Sequence, residues 1–218
     1  MWSTTSRSHG FLCWRTPGHP QRLICHPCSV CDIQEKFRNG IYEFPKMVAT
    51  ADKMLRAASA LQIPVFATTQ NRAKLGNTVP ELQRHLSGPH IRADADKTLF
   101  SMITPEVDAL LPAKNSPKID AIIVGIETHI CVTQTTLDLL ERGHRVYVLV
   151  DGVSSINPEE RGIALARLRD AGAIVTSSEG VLFEIMGDAQ HEQFRTVSGL
   201  VKETKEDTKS ALGVFSKI

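Results

Sequence analysis

Short apolar runs alternate with helical patterns along the chain from residue 28 onward. Runs of four to six residues, rich in β-branched and other apolar side chains, predict buried strands over residues 29–32, 64–69, 119–124, 145–150 and 173–176. Between these runs, apolar positions recur at helical spacing behind Ser, Thr or Pro residues suited to helix starts. They predict helices over residues 45–61, 104–111, 128–142 and 158–171, and one that begins at Ser177 or Ser178.

Strands of this length separated by helices are typical of parallel βαβ units. The sequence therefore predicts the α/β class, as a three-layer α/β/α sandwich with a mainly parallel central sheet. Residues 70–96 are expected to be irregular, apart from a helical turn or two around residues 80–86. Asp151-Gly152 is expected to form a turn at the end of a strand. The alternative is that it faces a functional site.

The pattern divides the chain into three parts. Residues 1–27 form an atypical leader, residues 28–203 one folded domain, and residues 204–218 a polar C-terminal tail. The polar segment 202–209 is expected to be solvated or frayed. Residues 1–31 contain Arg and Ser but no Asp or Glu, which is the composition of a mitochondrial transit peptide. A disordered leader and an incorrectly assigned start are the alternatives.

Composition and charge exclude several classes of protein. The 218 residues include 25 Lys and Arg against 24 Asp and Glu, and a net charge of +1 gives no field that attracts nucleic acid. No apolar run approaches the ~20 residues needed to cross a bilayer, so no membrane partner is expected. Five cysteines, an odd number, do not fit a disulfide scaffold and favour a reducing compartment. A cytoplasmic or mitochondrial protein, not a secreted one, is expected.

Four of the cysteines, among them Cys13, lie in the first part of the chain. Cys25, Cys28 and Cys31 have a repeated CxxC spacing that raises the question of a metal site. Zinc sites in proteins are usually built from two ligand pairs, and no second pair at ligand spacing follows here. Small apolar residues at chance spacing are therefore the favoured interpretation of these cysteines.

Three polar residues fall at or near predicted strand ends, where open parallel sheets form their sites. With Thr128 as N-cap, Cys131 is the third residue of a helix, where free N–H groups and the helix dipole lower a thiol pKa. Asp32 ends the first strand and can accept the thiol proton. Lys97, on a loop, can stabilise both the carboxylate and the thiolate. A buried cysteine, a capping aspartate and a solvated lysine are the respective alternatives.

The segments around these three residues resemble the motifs of the isochorismatase-like cysteine hydrolases. They read Asp32-Ile-Gln34, Lys97-Thr-Leu-Phe-Ser-Met102 and Gly125-Ile-Glu-Thr-His-Ile-Cys131-Val. Their order and spacing also fit the family, over residues 28–198, and the sequence is most similar to the isochorismatase domain-containing protein subgroup. The resemblance implies that family's α/β/α hydrolase fold and a homo-oligomer.

The resemblance also implies a catalytic triad of Asp32, Lys97 and Cys131. In such a triad Cys131 attacks a carbonyl carbon, and water hydrolyses the resulting acyl-enzyme. Asp32 moves the protons, and Lys97 sets the electrostatics. Family members have a non-proline cis peptide at the position of Ile126-Glu127, so the backbone N–H groups of Glu127 and Cys131 would form the oxyanion hole.

Three further residues, Gln34, Phe37 and Thr128, are candidates for the wall of the substrate pocket. Residues 69–74 contain no His or Asp at the place where nicotinamidases of the superfamily carry a zinc site. No metal and no other cofactor is therefore expected. The expected partner is a small-molecule substrate, and amide, carbamoyl and ester substrates all stay open.

The first strand departs from the family pattern, because His26 and Pro27 shorten it and Pro27 has no N–H to donate. This departure motivates an alternative function, that of a catalytically idle scaffold or binding protein that has kept the fold.

Overall fold

The computed structural model describes residues 26–112 and 118–217, together with the backbone of four two-residue strands closer to the N-terminus. These short strands pair antiparallel, Arg7–Ser8 with Phe11–Leu12 and Trp14–Arg15 with Leu23–Ile24. Most of the leader predicted over residues 1–27, with Cys13, Cys25 and the predicted targeting signal, lies outside the described residues.

Six parallel strands form the central sheet. In chain order they are β1 (Cys28–Cys31), β2 (Val65–Gln70), β3 (Ile91–Lys97), β4 (Asp120–Gly125), β5 (Arg145–Val153) and β6 (Ile174–Thr176). Across the sheet the order is β6-β5-β4-β1-β2-β3. The chain runs from β1 out to β3 and then returns to β4, so the strand order reverses between β1 and β4. Ligand sites of open parallel sheets form at such a switch point.

Helices cover both faces of this sheet. They are α1 (Phe44–Leu61), α2 (Arg72–Leu75), α3 (Pro80–Gln83), α4 (Pro105–Asp108), α5 (Thr133–Glu141), α6 (Pro158–Asp170), α7 (Ser178–Met186), α8 (Phe194–Glu203) and α9 (Lys205–Phe215). A 3₁₀ turn (Glu35–Phe37) follows β1, and a π-helical turn (Thr128–Val132) precedes α5.

Two hydrophobic cores separate the layers. One lies between the sheet and α1, α7, α8 and α9, and the other between the sheet and α4, α5 and α6. The strands β1, β4 and β5 are covered on both faces, which explains their nearly continuous apolar sequences. The predicted three-layer α/β/α sandwich is confirmed. No helix in the described part of the chain is long and apolar enough to cross a membrane.

The longest predicted helix forms for the predicted reasons. Pro45 lies in the first turn of α1, where its missing N–H has no cost. The side chains that define the apolar stripe are all buried, namely Met47, Val48, Ala51, Met54, Leu55, Ala58 and Leu61. The Thr104 cap of α4 is also found, since its hydroxyl accepts a hydrogen bond from Val107 N.

The prediction that residues 70–96 are irregular is wrong for their last part, which forms β3 at the edge of the sheet. Ala93, Ala95 and Lys97 point into the protein, and the residues between them point out. The strand escaped prediction because Ala and Asp have low β-propensity and only one face carries apolar side chains. Lys97 is therefore the last residue of a strand, not a loop residue.

The turn predicted at Asp151-Gly152 is also wrong, because β5 continues to Val153. Asp151 is fully buried and accepts hydrogen bonds from the backbone N (2.8 Å) and the hydroxyl of Ser178, at the start of α7. Ser178 lies in another element, and its two hydrogen bonds compensate for burial of the Asp151 carboxylate. Gly152 leaves no room for a side chain, since a Cβ there would lie 2.7 Å from a Val124 methyl carbon.

The prediction of a solvated or frayed tail is wrong as well, because residues 205–215 form α9. The buried side chains Thr208, Ala211 and Phe215 recur at helical spacing on one face of α9. Thr208 Oγ1 accepts a 2.8 Å hydrogen bond from Nζ of the buried Lys53 in α1. Thr208 is polar, so its place on the buried face of α9 could not be recognised from the sequence. Its burial depends on the hydrogen bond with Lys53.

Candidate active site

The three residues predicted as a triad lie at the same edge of the sheet. Asp32 follows the last residue of β1, Lys97 ends β3, and Cys131 follows β4 by six residues. Since β4, β1, β2 and β3 are successive parallel neighbours, their carboxyl ends meet there. The structure therefore brings together residues that are up to 99 positions apart, from Asp32 to Cys131.

Asp32 is held in place by the neighbouring strand β2. Its backbone has a positive φ of 53°, a conformation that Asp adopts more readily than most residues. Its N–H donates to Thr68 O (3.1 Å), and its Oδ1 accepts a hydrogen bond from Thr68 Oγ1 (2.8 Å). The late start of β1 after Pro27 therefore does not leave Asp32 unsupported, because β1 pairs with β2 and β4 along its whole length.

Lys97 connects the other two residues of the predicted triad. Its Nζ lies 2.6 Å from Asp32 Oδ2 and 3.9 Å from Cys131 Sγ. It also donates to Gln70 Oε1 at 2.7 Å and contacts the carbonyl oxygens of Leu99 and Phe100, both at 3.1 Å. Burial acts to lower the pKa of Lys97, but its acidic neighbours outweigh burial and raise that pKa above its usual value. The ammonium stays charged between the carboxylate and the sulfur.

Cys131 lies in the π-helical turn and is its fourth residue, not the third residue of an α-helix capped by Thr128. The turn begins one residue earlier than predicted, because Glu127 O accepts both Ile130 N (3.0 Å) and Val132 N (3.2 Å). The second of these bonds spans five residues and defines the π geometry. Such turns are frequent at functional sites.

A threonine joins the Lys97 motif to the Cys131 turn. Thr135 Oγ1 donates a 2.6 Å hydrogen bond to Cys131 O and accepts a 2.9 Å hydrogen bond from Met102 N. The hydroxyl is buried, so both bonds are shielded from water. Thr135 was not predicted as a site residue, although a threonine inside a helix, four residues after the cysteine, is a weak signal of such a bond.

The backbone before Cys131 is tightly packed against β1. The Ile126–Glu127 peptide bond is cis. Gly125 has a φ of 122°, and a Cβ there would overlap the backbone of Cys31. Only glycine fits this close approach between two strands. The side chain of Glu127 accepts a 2.9 Å hydrogen bond from Ile156 N, which fixes its direction.

A cavity of about 110 Å³ opens onto Asp32 and Cys131, and Lys97 contacts both of these residues from outside its lining. The exposed lining is mainly apolar, and it consists of Asp32, Phe37, Gln70, Phe100, Ile126, Glu127, Ile130 and Cys131. The predicted wall residue Phe37 is among them. The cavity is far smaller than the ~300–1,000 Å³ of drug-sized ligand pockets, so its size matches a small molecule.

The other two predicted pocket residues, Gln34 and Thr128, do not line this cavity. Gln34 is fully buried and holds the loop that follows β2: its Oε1 accepts Gln70 N (2.7 Å), and its Nε2 donates to Gly76 O (2.7 Å) and Gln70 O (3.2 Å). Thr128 is also fully buried, and its hydroxyl has no hydrogen-bond partner among the described residues.

Gln70 and Cys31 are two further side chains that contact the candidate triad and were not predicted from the sequence. Gln70 ends β2 and contacts Lys97, so the strand-end rule that found Asp32 also applies to it. Cys31 is fully buried beside Asp32, and its Sγ lies 3.6 Å from Asp32 Oδ2. Burial raises the pKa of the Cys31 thiol well above its usual value, and a hydrogen bond with Cys131 adds to the effect.

Cys28 and Cys31, the described cysteines of the CxxC repeat, do not form a common site. Cys28 and Cys31 face opposite sides of β1 and belong to different hydrophobic cores. Among the described residues, a donor set that could hold a metal consists of Cys31, Asp32 and Cys131, whose donor atoms lie within 4.8 Å of one another. The Lys97 ammonium contacts the same carboxylate and the Cys131 sulfur, and its positive charge opposes a cation there.

Sequence comparison places these features in a known family. The sequence model of the isochorismatase domain matches residues 28–180. The isochorismatase domain-containing protein 2 of Xenopus laevis is 43% identical over 180 residues, which are 82% of this chain and 84% of that protein. The secreted isochorismatase effector Isc1 of Phytophthora sojae is 40% identical over 185 residues, 84% of this chain and 88% of that protein.

Solved structures have the same fold. A structure described as the MAR1 ribonuclease of Caenorhabditis elegans superposes with a TM-score of 0.77 at 39% identity, over 83% of this chain and 92% of that one. The ycaC gene product of Escherichia coli, described as an octameric hydrolase of unknown specificity, superposes with a TM-score of 0.73 at 21% identity, over 90% of this chain and 97% of that one. The second similarity concerns the fold alone. With the family model covering most of the chain and relatives above 40% identity, this protein belongs to the isochorismatase family.

Proposed function

We propose that this protein is a metal-independent cysteine hydrolase that cleaves a small amide, carbamoyl or ester substrate through an acyl-enzyme on Cys131. One observation carries the proposal: Lys97 Nζ lies 2.6 Å from the Asp32 carboxylate and 3.9 Å from the Cys131 sulfur at the end of a small cavity. A fixed ammonium and a carboxylate beside a thiol can activate its sulfur as a nucleophile.

The reaction follows from this arrangement. The Cys131 thiolate attacks the substrate carbonyl carbon, and the carbonyl oxygen takes up the negative charge. The backbone N–H groups of Glu127 and Cys131 stabilise this oxyanion in the proposed mechanism. Asp32 holds the proton of the thiol and returns it to the leaving amine or alcohol. A water molecule, deprotonated by Asp32, then hydrolyses the thioester and frees Cys131.

Lys97 supplies the positive charge in this mechanism. Because its ammonium contacts both acidic groups, it stabilises the thiolate without a bound metal ion, which supports the metal-independent form of the proposal. The carbonyl oxygens of Leu99 and Phe100 and the amide oxygen of Gln70 also contact the ammonium and keep it in one position.

The cavity supports a substrate with a small, largely apolar acyl group. The apolar walls are Phe37, Phe100, Ile126 and Ile130, and the volume of about 110 Å³ favours a small substrate. The names of two relatives add two compounds to test, isochorismate and RNA. A polymer such as RNA is disfavoured, because a net charge of +1 gives no long-range field that attracts a polyanion.

The test is a hydrolysis screen with matched cysteine variants. The panel contains small aliphatic and aromatic amides, carbamoyl compounds and esters, together with isochorismate and RNA. We expect turnover of at least one small acyl compound, a loss on the order of 10³-fold or more in kcat with Cys131→Ala, and an acylated Cys131 in intact-mass spectra. Cys28→Ala is the control, because Cys28 is equally buried but faces the opposite core.

Two outcomes would contradict the proposal. Turnover that persists in the Cys131→Ala protein excludes cysteine catalysis. An unreactive Cys131 and no turnover across the whole panel favour the alternative, a catalytically idle scaffold or binding protein that has kept the family fold.

We also propose a homo-oligomer located in the cytoplasm or the mitochondria. The octameric Escherichia coli structure with this fold supports oligomer formation. The name of the Phytophthora sojae relative describes a secreted protein, so the location needs a direct test. Light scattering measures the oligomeric state, and a C-terminal tag, with and without residues 1–27, reports the location, with the medium sampled as well.

A further inference from the structure

Cys31 is a second thiol at the site, and the proposed hydrolysis gives it no role. Its Sγ, the Sγ of Cys131 and a carboxylate oxygen of Asp32 all lie within 4.8 Å of one another. Both cysteines are reduced in the structure. The two sulfurs come from neighbouring strands, since Cys31 ends β1 and Cys131 follows β4. Their proximity is therefore built into the fold.

We propose that Cys31 and Cys131 form a reversible disulfide when a hydroperoxide oxidises Cys131, which makes the pair a modification site that silences and protects the nucleophile. The inference rests on the proposed function only in taking Cys131 as the reactive thiol. It assigns a function to Cys31 that hydrolysis does not require.

The chemistry takes two steps. In the first, the Cys131 thiolate attacks the distal oxygen of the hydroperoxide, the O–O bond breaks, and a sulfenic acid and, after protonation of the leaving oxygen, an alcohol or water form. In the second, the Cys31 sulfur attacks the Cys131 sulfur, its thiol proton passes to Asp32, and the sulfenic hydroxyl leaves as water after taking that proton. The two sulfurs together lose two electrons, and the hydroperoxide gains them.

The surroundings of the two thiols set the order of these steps. Cys131 lines the cavity and has the Lys97 ammonium 3.9 Å from its sulfur, so it is the thiol that a small oxidant reaches. Cys31 is fully buried, and burial raises its pKa, so it stays protonated until Cys131 is oxidised. Asp32 Oδ2, 3.6 Å from Cys31 Sγ, is in place to take the proton at that moment.

The required movement is small. A disulfide has an S–S bond of about 2.05 Å, so the sulfurs must approach each other from a separation of at most 4.8 Å. A change of χ1 rotamer at one or both cysteines moves a sulfur without moving the strands. The bond would use the Cys131 sulfur, which lines the cavity, and so remove the nucleophile from it.

Cys28 gives a matched control in the same strand. It is as buried as Cys31, and burial raises the pKa of its thiol to about 12. It faces the opposite core, away from Cys131. A disulfide that formed by non-specific oxidation of the protein would not distinguish between these two cysteines.

The experiment uses the full chain with Cys13 and Cys25 replaced by Ser, which leaves Cys28, Cys31 and Cys131. Reduced protein is treated with hydrogen peroxide, alkylated and digested without reductant. We expect a peptide in which Cys31 and Cys131 are linked, an intact mass lower by two hydrogen atoms, and full return of the Cys131 thiol with dithiothreitol. Cys28→Ala should give the same result.

The Cys31→Ala variant should lose this protection. Its Cys131 should pass to the sulfinic acid, so that dithiothreitol no longer restores the thiol. Cys31→Ser is a second variant that keeps a hydroxyl beside Asp32, in case the alanine protein does not fold. Direct conversion of Cys131 to the sulfinic acid in the parent, no linked peptide, or a link through Cys28 would overturn the proposal.

The readout separates the two proposals. A linked Cys31–Cys131 peptide in a protein that hydrolyses nothing refutes the proposed function and leaves the disulfide standing. Hydrolase activity that depends on Cys131, in a protein whose Cys31 and Cys131 never form a disulfide, refutes the disulfide and supports the proposed function.

Discussion

Asp32 and Lys97 form an ion pair that is almost completely removed from water. Water cannot replace a lost partner at such a site, so a single substitution leaves an uncompensated buried charge. The pair also has polar supports on both sides, Thr68 for the carboxylate and Gln70 for the ammonium. A substitution in this ion pair should therefore lower the stability of the fold, and unfolding experiments can measure that effect separately from activity.

We predict that Asp32→Asn and Lys97→Met each lower the free energy of unfolding by about 3 to 5 kcal/mol. Asn also tolerates the positive φ at position 32, so the backbone keeps its conformation. The double variant should lose clearly less than the sum, because neither charge remains. Urea denaturation of the four proteins measures the coupling; strictly additive losses would show that the two charges do not interact.

We predict that Gly125→Ala lowers the free energy of unfolding by about 3 kcal/mol or more, or prevents folding, because its Cβ would overlap the Cys31 backbone at a φ of 122°. Gly162→Ala is the control. Gly162 lies inside α6 with open space around it, so alanine should raise stability by roughly 0.5 to 1 kcal/mol. Thermal unfolding compares the two, and equal effects would contradict the packing argument.

At the scale of elements, α9 closes the core on one face of the sheet. Phe215 at its end is fully buried; its ring meets Tyr42 edge to face at a centroid distance of 5.9 Å, and the Arg161 guanidinium lies 4.7 Å from its centre. Arg161 is itself buried and donates to Val153 O at 3.0 Å, at the end of β5. Through Phe215 and Arg161, the last turn of α9 is therefore packed against the end of β5.

We predict that Phe215→Ala lowers the free energy of unfolding by about 3 to 5 kcal/mol, through the lost aromatic burial and the cavity that it leaves. Lys209→Ala, at an exposed position of α9, should change it by less than about 0.5 kcal/mol. Urea midpoints of both variants test this expectation. A small effect of Phe215→Ala would mean that α9 adds little to the core.

At the scale of the whole molecule, two buried histidines lie near the amino ends of the sheet strands. The pKa of His26 and the pKa of His144 are each lowered from 6.5 to about 4, mainly because both rings are buried. His26 is therefore neutral near pH 7, and Arg145 is the cation that pairs with the nearby Asp120. His144 Nδ1 accepts a hydrogen bond from Ile119 N, which also requires the neutral ring.

We predict an acid-sensitive fold. Since the folded pKa of both histidines lies below the unfolded value, the unfolded chain binds protons first, and stability is lost as pH falls from 6.5 to about 4. Each displacement corresponds to roughly 3 kcal/mol. In His144→Asn the side-chain oxygen can accept from Ile119 N without titrating, so the slope of unfolding free energy against pH should be shallower. An unchanged slope would contradict this assignment.

Much of the fold followed from local patterns. Five of the six sheet strands were predictable because burial leaves a short apolar run in the sequence, and α1 was predictable because a buried stripe leaves a helical period. The edge strand β3 and the helix α9 were not. Their buried faces include Ala, Thr and Lys, whose burial depends on partners in distant elements such as Lys53 for Thr208.

Local patterns were sufficient to predict the parallel α/β plan, and the family motifs singled out Asp32, Lys97 and Cys131 as candidate site residues. The side chains that surround these three residues became known from the folded molecule alone. Cys31 and Gln70 lie beside them, and Gln34 and Thr128 lie outside the cavity. The direction and the burial of a side chain depend on the strand order and on the elements that pack against it. Because those elements are distant in the sequence, the residues adjacent to a side chain do not specify its surroundings.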